Sequence, residues 1–493
     1  MKYTKRSLVY LLFTIVFGFI LFFVDLNARH FWGTTEGRTG QIVKEMLQTG
    51  DWVIPRLNDE PRLTKPPLYF WSAAIVSVLF NDGKVSEWTV RLPSSVSALL
   101  VLIMTFLIGF RLYGDRVGLA ASLMLATSYS FMSQARVASL DMMLVMFVTA
   151  FIMFFSFGLT ASSNQRKKSY YILMHLSCAL AVMTKGPVGI FVPWLGVIAY
   201  LLWTGRLQEF KNMQWTIAIF VFVVIIAPWL FAVKMRISSS FAVFYHETVT
   251  RYTSAFDHQR PFYYFIFRLP LYVLPWGALI PLVIYDMIKS RTVHPYRYPI
   301  SFFLPAFIFF SLCGSKRSYY LIPLYPFVML VFCLYLRRSV KIRSLMASVL
   351  KKYELKKLII IAVSLFVLLV CGYISIIPLL NNRNSAVDLC NKLNDIIGAN
   401  DELLTYRYSR PYIVYYLNSG HVPELNHEHE IQDKLNQSAH GAGKYILLQE
   451  KDFSKMTSLE GVEIVLRYPN FTKKDNTMIL ITSTDKGNIL ETR

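Results

Sequence analysis

The stretch "SLVYLLFTIVFGFILFFVDLNARHFWGTTEGRTGQIVKEML", residues 7–47, joins an uncharged apolar run to a segment of quite different texture. Residues 7–24 contain no charge and approach the roughly 20 residues needed to span a hydrocarbon layer. Lys2, Lys5 and Arg6 precede the run, and no small-x-small cleavage site follows it, so it reads as an uncleaved first helix rather than a signal peptide. Beyond it, Ile42, Val43, Met46 and Leu47 fall on one face of a helix expected over 35–48. Glu36 and Arg38 stand at the start of that helix, just past the end of the hydrocarbon. Charge at that position is costly enough to call for a structural or chemical reason.

The rest of the chain repeats this pattern. Of 493 residues 54% are hydrophobic, and they gather in blocks, so the chain reads as a polytopic α-helical membrane protein. Apolar segments fall near 7–24, 93–112, 117–134, 139–160, 169–184, 187–204, 214–234, 264–287, 298–313, 318–336 and 357–379, giving about eleven helices. The segment 68–81 is too short to count as a span and is expected to lie along the interface. The net charge of +21 does not imply nucleic acid as a partner, because the basic residues sit in short runs between apolar blocks, facing membrane lipids. With the amino terminus in the cytoplasm, residues 166–168, Arg206, Lys211, Lys289, Arg291, Arg297 and the basic run 337–357 all fall inside. The five cysteines are scattered and offer neither a disulfide framework nor a metal pattern.

The opposite loops then face outward, and they hold the unexpected charges. Glu36, Arg38, Lys65, Arg136, Asp141, Lys185, Arg251, Arg260, Lys316 and Arg317 lie there, close to Tyr69, Tyr252, Tyr263, Tyr319 and Tyr320. Two acids among many cations and tyrosines suit a phosphate held at the membrane surface. Arg136, Arg260 and Arg317 are equally well explained as interfacial anchors. Lys185, in "MTKGP", reads as a lysine in a tight turn between apolar helices, where snorkelling is cramped. Asp141 opens an apolar helix, and Ser139 could cap that helix as well as it could.

From about Asn381 the texture changes again. Strand-like runs at 402–408, 444–450, 462–468 and 477–483 alternate with helix-like stretches such as 384–397. The expected organisation is therefore a transmembrane domain over 1–380, with its outer loops, and a small extracytoplasmic (periplasmic) α/β domain over 381–493. "HEHE" at 427–430 reads as a solvated loop rather than a metal site.

Several ordered motifs carry a resemblance over roughly the first 340 residues. They are the acid after the first helix, "EMLQTGDWVIPRL" (45–57), "KPPLYFW" (65–71), "LD" (140–141), "MTKGP" (183–187) and "KRSYYLIP" (316–323). Together they resemble the GT-C membrane glycosyltransferases, with bacterial lipid A aminoarabinose transferases as nearest kin and protein O-mannosyltransferases as more distant ones. The resemblance implies transfer of a sugar from a polyprenyl phosphate, in bacteria undecaprenyl phosphate, to an acceptor outside the inner membrane. It points Lys65, Lys185, Arg251 and Tyr320 to the carrier phosphate, and Asp141 and Glu36 to catalysis. Arg38, Tyr69, Arg260, Lys316, Arg317 and Tyr319 are further candidates for substrate contact. Cations so placed stabilise the charge that grows on a leaving phosphate.

The chain departs from that family in three places. Thr35 stands where an aspartate is usual, Thr64 where an acid precedes the lysine, and Thr248 where a histidine is found. The first removes the aspartate that the resemblance implies is catalytic; the other two together remove two candidate metal ligands and argue against a bound zinc, and no metal or cofactor is expected. Glu36 is left as the carboxylate of its segment: it could activate an acceptor hydroxyl, or be dispensable if the acceptor is an anionic phosphate. Lipid A, another envelope glycan or an exported protein would serve as acceptor. A transporter or flippase of lipid-linked sugars is the rival reading. It requires charges near the bilayer midplane and paired half-helices, whereas the charges here gather at one outer edge.

Overall fold

The structure is a computed structural model that describes residues 4–32, 34–246, 259–290, 294–339, 376, 380–381, 385–398, 400–407, 411–417, 421–437, 443–456, 459–469 and 477–483. Its first half is a succession of helices: α1 (Lys5–Phe23), α2 (Thr34–Thr49), α3 (Leu68–Phe80), α4 (Glu87–Tyr113), α5 (Asp115–Ala126), α6 (Tyr129–Ala135), α7 (Leu140–Leu159), α8 (Asn164–Lys185), α9 (Val188–Thr204), α10 (Trp215–Arg236) and α11 (Ser240–Tyr245). α1 begins where Thr4 and Ser7 cap each other, the Ser7 N–H donating to Thr4 Oγ1 at 3.1 Å and the Thr4 N–H to Ser7 Oγ at 2.9 Å. α4 lies at the centre, packing against α1, α3, α5 and α7, while α7 pairs with α8.

Among the described residues, five stretches are long and apolar enough to cross a bilayer: Lys5–Phe23, Glu87–Tyr113, Leu140–Leu159, Trp215–Arg236 and Ser318–Arg338. The outer faces of α1 and α10 carry Leu12, Phe13, Phe19, Phe220, Val223 and Phe231, all exposed. Apolar surface on that scale is stable only against hydrocarbon or another protein. Ten of the eleven segments expected from the sequence are helical, and 357–379 lies almost wholly outside the described residues.

Three of those ten are broken rather than continuous. The segment 117–134 divides into α5 and α6, because Thr127 and Ser128 turn their hydroxyls back onto the carbonyls of Leu123 (2.8 Å) and Met124 (2.7 Å) and end the helix. The segment 264–287 becomes a helix Tyr264–Tyr272, a 3-10 turn Trp276–Leu279 and a helix Ile280–Ser290, with Pro270 and Pro275 removing donors near the break. The segment 318–336 starts as the 3-10 run Ser318–Leu324 before the helix Tyr325–Arg338. α3, with 13 residues, is too short to span, and it packs on α2 and α4.

The carboxy-terminal segment forms a mixed five-stranded sheet, in the order β4-β3-β5-β7-β6. The hairpin Arg56–Leu57 (β1) and Glu60–Pro61 (β2) belongs to the first loop; the sheet uses β3 (Glu402–Tyr406), β4 (Glu424–Leu425), β5 (Lys444–Gln449), β6 (Val462–Tyr468) and β7 (Met478–Ser483). β3 pairs in parallel with β4 and β5, and β7 is antiparallel to β5 and β6. Side chains alternate across it. Leu403, Tyr445, Leu447 and Leu480 face the helices Val387–Ile396 and Pro411–Tyr416, while Leu404, Ile446, Leu448 and Ile479 face the helix Glu428–Asn436. Four strands coincide with the four expected runs; the two-residue β4 has no periodic signal to find. "HEHE" is not a loop, for His427 caps the helix Glu428–Asn436 and the Glu430 carboxylate accepts from the N–H groups of Asn426 (2.8 Å) and His427 (3.0 Å). Those backbone donors hold the Glu430 carboxyl below its ordinary pKa.

Candidate active site

A cavity of about 1280 Å³ opens where α2, α7, α8, α9, α10 and the run Ser318–Leu324 meet. One wall is polar. α2 contributes Thr35, Arg38, Thr39 and Ile42, whose i, i+3, i+4, i+7 spacing makes a single stripe, and the connection after β2 adds Arg62, Thr64 and Lys65. Asp141, Lys185, Arg317, Tyr319 and Tyr320 close this wall. The other wall is hydrocarbon-like, with Leu144, Val182, Val188, Phe191, Ile226, Trp229, Leu230 and Phe309. Phe191 is 51% exposed, so the apolar wall runs on into the outer surface of the helices. A polar pocket continuous with an apolar cleft matches an amphiphile with a charged head.

The two walls meet at Lys185. It is the last residue of α8 rather than part of a turn; the turn is Gly186, whose φ of +79° suits a residue without Cβ and whose N–H donates to the Val182 carbonyl at 2.7 Å. Lys185 Nζ donates to Asp141 Oδ1 in an ion pair whose side chains are each only 14% exposed. The same ammonium lies 5.3 Å from the ring centre of Tyr319 and 5.1 Å from that of Tyr320. Arg317 Nη1 donates to the Tyr319 hydroxyl at 2.8 Å, fixing that ring. Asp141, Tyr319 and Tyr320, from two distant segments, thus hold the cation of a third at the mouth of an apolar cleft.

Seven of the residues picked out from sequence line this cavity: Arg38, Lys65, Asp141, Lys185, Arg317, Tyr319 and Tyr320. Arg251 and Thr248 lie outside the described residues. Thr35 and Thr64, two of the departures from the family pattern, both line the cavity. No group of three or more metal-ligating side chains occurs among the described residues. Arg62, Thr39 and Trp229 also line the cavity and were not picked out; Arg62 carried the same signal as Lys65, a cation in the first outer loop.

The reading needs correction at four residues, Glu36, Tyr69, Lys316 and Arg260, none of which lines the cavity. Glu36 does not line the cavity. It points away, buried, and its carboxylate accepts from Arg91 Nε at 2.8 Å, from Arg29 and from the Ala138 N–H at 3.0 Å. Arg91, 1% exposed, was not anticipated, because its partner lies 55 residues away. Removing one member of such a buried pair costs about 3–5 kcal/mol by leaving the other charge uncompensated. Tyr69 is also buried outside the cavity, its hydroxyl 2.9 Å from the Val90 carbonyl and 2.7 Å from Ser94 Oγ. Lys316 donates to the carbonyls of Arg260 (2.9 Å) and Cys313, tying two connections together, and Arg260 is exposed. Arg136 donates to the carbonyls of Leu21 (2.8 Å) and Val24 (2.7 Å), closing the end of α1.

α2 uses its remaining surface to receive the carboxy-terminal segment. A Cβ on Gly37 would stand 2.6 Å from the Tyr412 backbone, so the short helix Pro411–Tyr416 can approach this closely only because residue 37 is glycine, and one on Gly40 would meet the Phe31 ring and, at 3.2 Å, the Tyr415 ring. Lys44 Nζ donates to the Tyr415 carbonyl at 3.0 Å, and the Tyr416 hydroxyl meets Glu87 at 2.5 Å while accepting from the Phe31 N–H at 2.9 Å. Burial and Glu87 both push the Tyr416 phenol upward in pKa, so it stays a donor. Gly37→Val is expected to destabilise the protein by about 1–3 kcal/mol through overpacking. Thermal unfolding in detergent checks this, and an unchanged midpoint would show that the interface yields.

This helical scaffold with its one-sided cavity is the fold of the GT-C membrane glycosyltransferases, and the resemblance read from the motifs holds. Residues 64–231 match the model of the dolichyl-phosphate-mannose-protein mannosyltransferase family. Over 314 residues the chain is 28% identical to undecaprenyl phosphate-alpha-4-amino-4-deoxy-L-arabinose arabinosyl transferase 1 of Pseudomonas fluorescens, covering 63% of this chain and 54% of that one. It is likewise 28% identical over 331 residues to the corresponding transferase of Pseudomonas paraeruginosa, covering 66% of this chain and 59% of that one. The matched stretch thus spans a little over half the length of these relatives. ArnT from Cupriavidus metallidurans, crystallised with undecaprenyl phosphate, superposes with a TM-score of 0.78 at 20% identity, over 97% of this chain and 98% of that one. The archaeal oligosaccharyltransferase AglB from Archaeoglobus fulgidus gives 0.54 at 11% identity, over 90% of this chain and 69% of that one.

Proposed function

We propose that this chain is a membrane glycosyltransferase that moves a sugar from undecaprenyl phosphate, or a similar polyprenyl phosphate, onto an envelope acceptor such as lipid A. The observation that carries this reading is the Lys185 ammonium, held by Asp141, Tyr319 and Tyr320 at the junction of a cationic and an apolar cavity wall. The carrier's phosphate meets Lys185, with Lys65, Arg38, Arg62 and Arg317 around it and Arg251 assigned there by motif, while its polyprenyl chain follows the apolar wall past Phe191. The donor named for the relatives, an undecaprenyl phosphate sugar, has this form.

In the reaction the bond between the sugar's anomeric carbon and the phosphate oxygen breaks, and its electron pair leaves with the phosphate. An acceptor oxygen makes the new bond. Lys185 and the neighbouring cations stabilise charge where it develops, in a site shielded from bulk water. Asp141 holds Lys185 and is the carboxylate that the cavity presents to sugar and acceptor. The proton of an acceptor hydroxyl would pass to such a base, whereas an anionic acceptor oxygen has none to give up.

The test is transfer in vitro from a synthetic undecaprenyl-phosphate sugar, together with mass spectrometry of lipid A, other envelope glycans and exported proteins from cells with and without the gene. A sugar-sized mass difference on lipid A is expected. The same difference on exported proteins alone would make the chain a protein O-glycosyltransferase, and none anywhere would remove the reading.

The domain division at 380/381, about eleven crossings, an inner-membrane location, a cytoplasmic amino terminus and a periplasmic carboxy-terminal domain complete the proposal. The docking of Pro411–Tyr416 on α2 supports one side for the first outer loop and the carboxy-terminal segment. Cys390 is buried and unsuited to labelling. Lys392→Cys, at an exposed position, is expected to react with an impermeant maleimide from outside spheroplasts, and Ser162→Cys is expected not to. The reverse pattern would invert the topology.

A further inference from the structure

The corner between α6 and α7, residues 136–139, is tied down from every side, although none of its four residues lines the cavity. Ser95 Oγ donates to the Ala135 carbonyl at 3.0 Å. The Ala138 N–H donates to Glu36 Oε1 at 3.0 Å. The Ser139 N–H donates to Ser94 Oγ at 3.0 Å, and Ser94 Oγ donates back to the Ser139 carbonyl at 3.1 Å. With the Ser94 proton so used, the single Tyr69 hydroxyl proton goes to Ser94 Oγ or to the Val90 carbonyl, and the set is satisfied. Glu36, Arg91, Tyr69, Ser94, Ala138 and Ser139 are all buried.

The Glu36 tie originates from α2, which also lines the cavity, while the Ser94 and Ser95 ties come from α4, which packs behind it. Glu36 neighbours Thr35 on α2, and its carboxylate is oriented by Arg91, whose Nη1 and Nη2 donate to the carbonyls of Leu26 (2.8 Å) and His30 (3.2 Å). On the other side, the corner leads within two residues to Asp141. Ser139 is the N-cap residue of α7, yet its side chain makes no cap hydrogen bond. The start of α7 therefore takes its position from the backbone bonds to Glu36 and Ser94 rather than from a local cap.

We infer that Glu36, oriented by Arg91, and Ser94 are positioning residues that aim Asp141 at Lys185 by holding the backbone of Ala138 and Ser139. This rests on the transferase reading above and extends it to residues that touch no substrate. Glu36 acts through Asp141, so its carboxylate has no proton to exchange with an acceptor. A shift of the corner by a fraction of an ångström misaligns the pair, which is enough to slow a reaction that depends on orientation. The carrier phosphate, held mainly by cations on other elements, keeps its affinity.

A double-mutant cycle in the full-length protein tests this, with transfer from a synthetic undecaprenyl-phosphate sugar as the readout. Glu36→Gln places an amide donor against the Arg91 and Ala138 donors, and Ser94→Ala removes both bonds to Ser139. Each is expected to lower kcat about tenfold, with the donor KM within about twofold of wild type. In an Asp141→Asn background each is expected to change kcat by less than about twofold, because the residue they aim is gone. Equal losses in both backgrounds, or a loss expressed in donor KM, would overturn the inference and leave a merely structural role. Should Glu36→Gln fail to fold, as judged by thermal unfolding, Ser94→Ala decides alone. An inactive wild type would count against the transferase reading itself, a result distinct from either outcome of the cycle.

Discussion

Lys185→Met is expected to lower kcat/KM for sugar transfer by on the order of 10³-fold, the upper range for removing one group that stabilises developing charge. The ammonium sits where the leaving phosphate would gather its negative charge, and among the described residues no other cation shares its position between Asp141 and the rings of Tyr319 and Tyr320. Lys185→Arg is expected to rescue little, since the larger planar guanidinium spreads its charge and sets its donors in a fixed fork, unlike the compact ammonium held between two rings and a carboxylate. Steady-state transfer from a defined carrier-linked sugar measures both. A Met variant within threefold of wild type would remove Lys185 from the reaction. Because the substitution leaves Asp141 without its partner, thermal unfolding in detergent must show that the protein remains folded.

Asp141→Asn is expected to lower kcat by about 10²-fold, the usual scale of a general acid or base contribution or of lost orientation. Its effect on the carrier should have the opposite sign. In the proposed site the carboxylate would compete with a carrier phosphate for Lys185, so removing its charge would leave the ammonium free to pair with the phosphate. Binding of undecaprenyl phosphate is therefore expected to tighten severalfold while turnover falls. Titration with the unglycosylated carrier separates the two quantities. Weaker binding in the Asn variant would mean that Asp141 supports the phosphate site structurally, and unchanged turnover would clear it of any role in transfer.

The two residues illustrate how much of the site could be read before folding. Lys185, Asp141, Lys65 and Tyr320 were accessible because each is a polar residue at the edge of an apolar block, where the hydrocarbon leaves few reasons for it to exist. Glu36 and Tyr69 satisfy the same criterion, which made Glu36 a candidate for catalysis and Tyr69 one for substrate contact. The criterion detects that a polar group needs a partner; it is silent on whether the partner is a ligand or another side chain. Glu36 finds Arg91 on α4, and Tyr69 finds Ser94 on the same helix.

Local chemistry in the chain was sufficient for the elements themselves. The apolar stretches have to be helices if they meet hydrocarbon, because a helix satisfies its own backbone. The short continuous apolar runs within 402–406 and 444–449 mark strands covered on both faces, and the stripe Thr35, Arg38, Thr39 and Ile42 marks one face of α2. Folding settled which face of α2 meets the cavity, which receives Tyr412, and which buries Glu36 against Arg91. Those outcomes depend on contacts between residues 55 to several hundred positions apart, such as Arg91 with Glu36 and Lys44 with Tyr415. Helix periodicity groups residues into faces by a local repeat, whereas the partner of each face is chosen by burial and charge pairing across the whole chain.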